Sequence, residues 1–465
     1  MTLSRRELLR TASCGFGYLA LAGLCGQEAA AADGTSKSTA ERASDDPLAP
    51  KAPHFAPRAK RVIFLFMRGA PSHVDTFDYK PALARDTGKS ASGFGGRTYL
   101  GSPWKFPQSG QSGLPISELF PNLAQHADRL CLLNSLHTDL PNHPQATVQM
   151  HTGEFRFVRP SIGSWVVYGL GTQSQELPGF ITINPPVRAG GSQNYGSAFL
   201  PAPFEGTRIG SEGQSLANAR IEHIRGSRLT AEQQRKQLDL IQAMNRDLLD
   251  RDQVNTQLEG VIKSYELAFT MQSAVPKLMD LSGESAAVQK LYGIGDRATD
   301  DFGRQCLMAR RFAEAGVRFI ELSHGNWDQH NQLKNRLTAN CTAIDRPIAG
   351  LLTDLAERGL LNDTLVVWGG EFGRTPHVKQ NDGRDHNATG FSMWLAGGGV
   401  KGGLRYGATD EHGVHAVENK VHIHDLHATL LHLLGLDHEK LTYRYSGRDF
   451  RLTGVAGKVV KEIMT

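Results

Sequence analysis

Carboxylates and imidazoles crowd into three short stretches of this chain: Asp328 and His330 in NWDQH, Glu371 in GGEFGRTP, and Asp385 with His386 in GRDHNATGF. Oxygen and imidazole nitrogen are the donors that hard and borderline divalent cations take, and several loops on one rigid sheet commonly assemble such a site. A cation held there would polarise an ester oxygen or activate water. Arg374 and Lys401 could neutralise an anionic ligand, although isolated basic residues are more often surface charges. A second polar stretch, Asn134 to Gly153, carries His137, Asp139, Asn142, His143, His151 and Thr152, and a third follows Met67 with Ser72, His73, Asp75 and Asp78. His422, His424, His427 and His432 lack a carboxylate at motif spacing and are expected to be structural. Gly88-Lys89-Ser90 looks like the end of a phosphate-binding loop, but Leu83 stands where its first glycine is required.

Short apolar runs position these groups. Val62 to Met67, Phe180 to Asn184, Val317 to Leu322, Thr364 to Trp368 and Phe391 to Ala396 read as buried strands. Cys131 to Leu133 reads as a short one. Helical spacing marks Leu119 to Leu130, Asp301 to Ala315 before Gly316, Ala343 to Arg358 before Gly359, and His424 to Leu434. The segment Thr364 to Gly399 then reads as two strands bracketing a loop that holds Glu371, Arg374, His377, Asp385 and His386. Strand, polar cluster, helix, strand is the order of a doubly wound α/β sheet, which binds ligands beyond the carboxyl ends of its strands. Residues about 220–295 read as a helical insertion, opened by a Thr230–Gln233 capping box.

A chain of 465 residues can bury a large core, and its net charge of +4, without a long Lys/Arg run, does not suggest nucleic acid. Residues 1–32 read as an export signal: Ser4-Arg5-Arg6-Glu7-Leu8-Leu9 forms a twin-arginine motif, Ala12 to Leu24 is apolar, and Ala29 to Ala32 offer small-residue cleavage. A periplasmic or extracellular location and no membrane span in the mature chain follow. Residues 33–60 read as a flexible linker, with one domain over 61–465. Of five cysteines, Cys14 and Cys25 go with the signal, and Cys131, Cys306 and Cys341 show no paired spacing, so no disulfide framework is expected.

Thr364 to Gly373, TLVVWGGEFG, resembles the strand and metal-binding loop of sulfatases and the alkaline phosphatase superfamily, with Glu371 at the position of a ligating aspartate. Phe120 to Gly153, Asp385-His386 with the strand after it, and Val421 to Leu436 are similar to other elements of that group. The twin-arginine start with GAPSHVDTFDYKP, NWDQH, GGEFGRTP and GRDHNATGF resembles, more closely, the sulfatase-like family called domain of unknown function 1501. The resemblance implies an alkaline phosphatase-like three-layer α/β sandwich with a central, mostly parallel sheet. It further implies an exported metal-dependent hydrolase of sulfate or phosphate esters, acting on an anionic small molecule or glycan ester. Asp328, His330 and His386 would hold a divalent ion (zinc, calcium or manganese), Glu371 and Asp385 would complete or orient it, and Asp75 and His73 would close the site. His143 falls near the sulfatase nucleophile position and is expected as general acid/base. Ser72, Thr147 and Thr152 are candidate nucleophiles. The Cys/Ser-x-Pro-x-Arg motif that yields formylglycine is absent, and Phe372 stands where two-metal phosphatases place a histidine. The alternative is a non-catalytic binding protein for anionic glycans on the same fold.

Overall fold

The computed structural model describes residues 46–91, 93–218, 230–252, 256–379 and 382–465. The expected export signal and the start of the linker lie outside them. In chain order, the elements that matter for the site begin with β1 (Arg61–Met67), β2 (Leu130–His137), α1 (His143–Thr152), α2 (Ile162–Leu170), β3 (Phe180–Ile183) and β4 (Thr207–Ile209). The helical insertion supplies α3 (Ala231–Asp252) and α4 (Thr256–Met279). After it come α5 (Asp300–Glu314), β5 (Phe319–His324), α6 (Leu333–Glu357), β6 (Thr364–Gly369), β7 (Gly373–Val378), β8 (Arg384–Asn387), β9 (Phe391–Ala396), β10 (Leu404–Tyr406), β11 (Val421–His422) and α7 (Ile423–Leu433). A final hairpin pairs β12 (Tyr443–Tyr445) with β13 (Arg448–Phe450).

The main sheet runs β10-β2-β9-β6-β1-β5-β3-β4, with β11 also on β2. Only β9 is antiparallel to its neighbours, β2 and β6; every other pairing in this sheet is parallel. Strands β1, β6 and β9 are buried along their whole length, so both faces of the sheet are covered, and continuous apolar runs such as Val62 to Met67 fit that position. In register, Met67 pairs with His324 and Phe66 with Gly369. Strands β1, β5 and β6 therefore end level with one another. The loops that follow them converge at one edge of the sheet.

Several elements differ from their sequence reading. The linker does not run to residue 60: the Lys51 amide donates to Leu170 O, the His54 amide donates to Gly435 O, and Leu48 and Ala59 are buried, so residues 46–60 pack on the domain. The short strand expected at Cys131 is the long β2. Its polar donors find partners in the interior: the Asn134 side-chain amide donates to Phe77 O and to Ser392 Oγ, and Ser135 Oγ donates to Asn419 O. Within Leu119 to Leu130 only Leu123–Arg129 is helical, as a 3-10 turn. The stretch between β6 and β9 is not a plain loop, because β7 and β8 pair there as a separate antiparallel hairpin. The insertion is helical as expected, and the Thr230–Gln233 capping box forms, each side chain accepting from the other residue's amide. Cys131, Cys306 and Cys341 are buried free thiols.

Candidate metal centre

Each side chain of the site comes from an element just beyond the level strand ends. His143 opens α1, where Pro144 pre-sets the first turn and Gly153 ends the helix at φ 71°. Asp328 and His330 lie on the loop after β5, and Glu371 follows β6 directly. His386 sits on β8 opposite Arg374 of β7, next to a bulge between Arg384 and His386. Two glycines let these loops touch. A Cβ on Gly69, at φ +107°, would lie 2.6 Å from the Asp328 amide, and one on Gly383 would overlap His330 O at 1.8 Å.

Three imidazoles converge on one carboxylate oxygen. Asp328 Oδ1 lies 3.2 Å from His143 Nε2, 3.0 Å from His330 Nε2 and 3.4 Å from His386 Nε2. His330 Nε2 and His386 Nε2 are themselves 2.9 Å apart. Two of the three rings are engaged from behind: His143 Nδ1 donates to Glu371 Oε1 at 2.6 Å, and His386 Nδ1 donates to Pro141 O at 2.8 Å. Such partners fix the tautomer that turns Nε2 and its lone pair inward. His330 Nδ1 is 3.8 Å from Asp385 Oδ1. Neutral imidazoles with facing lone pairs repel unless a proton or a cation lies between them, so this donor set fits a divalent metal. His143, Asp328 and His386 form one group able to grip an ion, and His330, Asp385 and His386 a second that shares His386. The Asp328 side chain is 43% exposed and the three imidazoles 18–27%, which leaves the centre open to a ligand from solvent. Mixed nitrogen and oxygen donors suit zinc or manganese, whereas calcium takes oxygen ligands almost alone.

Charge around the centre follows from its neighbours. Burial works to raise the Asp328 carboxyl, but hydrogen bonds to His143 and His386 and the Arg374 guanidinium, 2.7 Å away, hold it well below the carboxylate range. Burial would lower His143, and its bonds to Asp328 and Glu371 reverse this and raise it. Desolvation dominates at His330 and lowers it. At Asp385 burial is overcome by Lys379, the His386 amide and Arg97, which hold the carboxyl at about 2.

The structure changes the roles of several expected site residues. Glu371 is fully buried, and its oxygens accept from the Gly69 amide and from His143, so it supports a ligand rather than facing the ion. His143 itself points Nε2 at the cluster and stands as a ligand more than as a free acid/base. Asp385 is paired with Lys379 and Arg97 behind His330. Asp75 and His73 do not close the site: Asp75 makes a fully buried two-pronged pair with Arg384, at 2.6 and 3.0 Å, because that guanidinium would otherwise be an unpaired buried charge. His73, equally buried, donates from Nε2 to Gly413 O. Arg374 is enclosed too, donating to Gly69 O, Ala70 O and Asp328, and cannot meet a substrate. Among the candidate nucleophiles, Ser72 donates to Asp75, Thr152 donates to Val148 O and Glu154 O, and Thr147 is completely buried. His422 caps α7, while His424 and His427 donate to Gly153 O and Met150 O at the end of α1. Sequence reasoning missed the Gly69 amide and the Pro141 carbonyl. Being backbone groups, they leave no side-chain signal.

Residues 59–464 match the profile of the family described as "Protein of unknown function (DUF1501)". Solved structures of similar layout include the PsFucS1 sulfatase from Pseudoalteromonas sp., at 12% identity and a TM-score of 0.36 over 82% of this chain and 69% of that one. The alkaline phosphatase from the Antarctic bacterium TAB5 is similar at 11% identity and a TM-score of 0.31, covering 73% and 92%. The lipoteichoic acid synthase LtaP from Listeria monocytogenes is similar at 9% identity and a TM-score of 0.35, covering 90% and 80%. No curated protein matches the chain by sequence.

Proposed function

Given that the chain belongs to the DUF1501 family, whose profile spans nearly all of the described domain, we propose that it is an exported metal-dependent hydrolase of sulfate or phosphate esters. The observation that carries this reading is the convergence of His143, His330 and His386 Nε2 on Asp328 Oδ1. Zinc or manganese, when bound by these residues, would polarise the ester oxygen and acidify water. The chain's own groups prepare that chemistry. Glu371 keeps the proton of His143 on Nδ1, the Pro141 carbonyl keeps that of His386 on Nδ1, and Arg374 fixes the Asp328 carboxylate. Phe372 stacks on His143 with ring centroids 4.7 Å apart and walls one side of the centre against water. With Ser72, Thr147 and Thr152 buried, water is the nucleophile.

Metal titration of purified protein, followed by turnover of aryl sulfate and aryl phosphate panels, tests the proposal. One bound divalent ion and turnover lost in His386→Ala are expected. No metal uptake under loading conditions would sink the site, and metal without turnover of any ester would favour the alternative of an anionic-glycan binding protein. That alternative is kept because the formylglycine motif is absent and the candidate nucleophiles Ser72, Thr147 and Thr152 are buried. Export by the twin-arginine route is proposed from Arg5 and Arg6, and cytoplasmic retention of Arg5→Lys/Arg6→Lys is its test. No helix among the described residues is long and apolar enough to cross a membrane.

A further inference from the structure

His143 opens α1 and Thr152 closes it, about 14 Å apart at the usual helical rise. Beyond Thr152 lies a cleft of about 340 Å³ between the loop that follows α1 and the β12–β13 hairpin. Its walls are aromatic: Phe157 is 60% exposed, and Phe199 lies 5.0 Å from Phe450 and 5.1 Å, face to face, from Tyr445. Phe199 and Phe450 are half-buried, whereas a phenylalanine as open to water as Phe157 is unusual unless something covers it. Two guanidinium groups lie on these rings. Arg159 stands 4.6 Å from the Phe450 centroid and 5.2 Å from that of Phe157, and Arg448 stands 5.0 Å from Phe450. The neighbouring Arg444 and Arg451 are paired with Asp449 and Glu439, but among the described residues neither Arg159 nor Arg448 has a carboxylate partner. Stacking pre-orders a guanidinium and leaves its N–H edge for an anion.

We propose that this cleft is a subsite for an acidic oligosaccharide strand. The apolar C–H face of a pyranose ring would lie on the exposed Phe157, and sulfate or carboxylate substituents would take the outward N–H groups of Arg448 and those of Arg159 not spent on Val158 O. Glu154 and Asp449, also on the cleft wall, supply acceptors for sugar hydroxyls. Two guanidinium groups without a carboxylate partner among the described residues, interrupted by Glu154 and Asp449, suit the spaced charges of an acidic sugar better than the one charge per nucleotide of a nucleic-acid backbone. The further step, that the bound strand presents its ester to the metal centre, rests on the hydrolase reading. Binding in the cleft does not.

Calorimetric titration of the full chain with sulfated, uronate and neutral oligosaccharides of equal length tests the subsite. At least one acidic sugar binds, weakening with salt, and the neutral one binds about tenfold or more weaker. Arg159→Ala/Arg448→Ala lowers affinity by about tenfold or more with the circular dichroism unchanged. If that variant does not fold, the exposed Arg448→Ala alone serves. Arg159→Lys, which keeps the charge and loses the planar stack, falls between. His386→Ala abolishes metal uptake and leaves the sugar affinity within about twofold. Which acidic sugar binds separates sulfate from carboxylate recognition. Equal binding of the neutral sugar, no binding of either acidic one, undiminished affinity in the arginine variants, or loss of sugar binding in His386→Ala would each overturn the proposal. Failure of the hydrolase reading shows separately, as absent metal uptake with sugar binding intact.

Discussion

Two sets of histidines lie at opposite ends of α1 and do opposite work. At its start, His143 joins His330 and His386, whose Nε2 atoms face one another and Asp328 across an open edge of the sheet. At its end, His424 and His427 donate Nε2 to the carbonyls of Gly153 and Met150. His151, buried beneath, takes Thr147 O on one nitrogen and faces Glu321 with the other at 3.2 Å. Residue type does not separate the sets. The difference lies in which nitrogen is tied down and whether the remaining one meets other lone pairs or a carbonyl. A ring that spends its Nε2 proton on a helix-end carbonyl clamps that helix; a ring held at Nδ1 from behind, with the Nε2 lone pair turned outward, is ready for an ion.

The largest expected effect comes from breaking the open set. His386→Ala removes a donor common to both candidate groups and should lower divalent-metal affinity by more than the roughly 100-fold of a supporting partner, as read by titration. Asp75→Ala addresses the buried layer instead. It strands Arg384 and should destabilise the fold by about 3–5 kcal/mol in denaturant unfolding, while the folded fraction keeps its metal affinity. A parallel fall in metal affinity would mean that Asp75 belongs to the site after all. Glu371→Gln tests the support of His143, and a loss of roughly 10–100-fold in metal affinity without a change of fold is expected. A change confined to acid pH sharpens the clamp set. Burial depresses His427 to about 3 from the usual 6.5, so an unfolded chain takes up a proton in that window that the folded chain refuses. The stability is present above about pH 6.5 and is lost as pH falls toward 3, by up to about 1.4 kcal/mol per pH unit. His427→Gln should flatten this acid slope by up to one proton, and an unchanged slope would show that His427 is not held neutral.

Much of the fold was legible because burial on both sheet faces leaves an unbroken apolar run, as in Val62 to Met67 and Thr364 to Trp368. The β7–β8 hairpin was not, since Arg374, Asp385 and His386 read as loop chemistry. Their strand conformation depends on pairing with each other rather than on an apolar pattern. The polar residues of β2 were hidden for a related reason: Asn134 looks like a loop residue until Ser392 and the Phe77 carbonyl are beside it.

By itself the sequence determined the donors available: Asp328, His330, Glu371, Asp385 and His386 beyond apolar strands. Tertiary structure decided what each one does. Glu371 reaches His143 across 228 residues of chain, and Pro141 O reaches His386 across 245. Those contacts exist because β1, β5 and β6 end level, bringing distant loops within hydrogen-bond range. The same packing enclosed Asp75 and His73, which the family resemblance had implied would close the site. A carboxylate or imidazole takes its role from whichever partner its surroundings leave unpaired, and local sequence does not contain that partner.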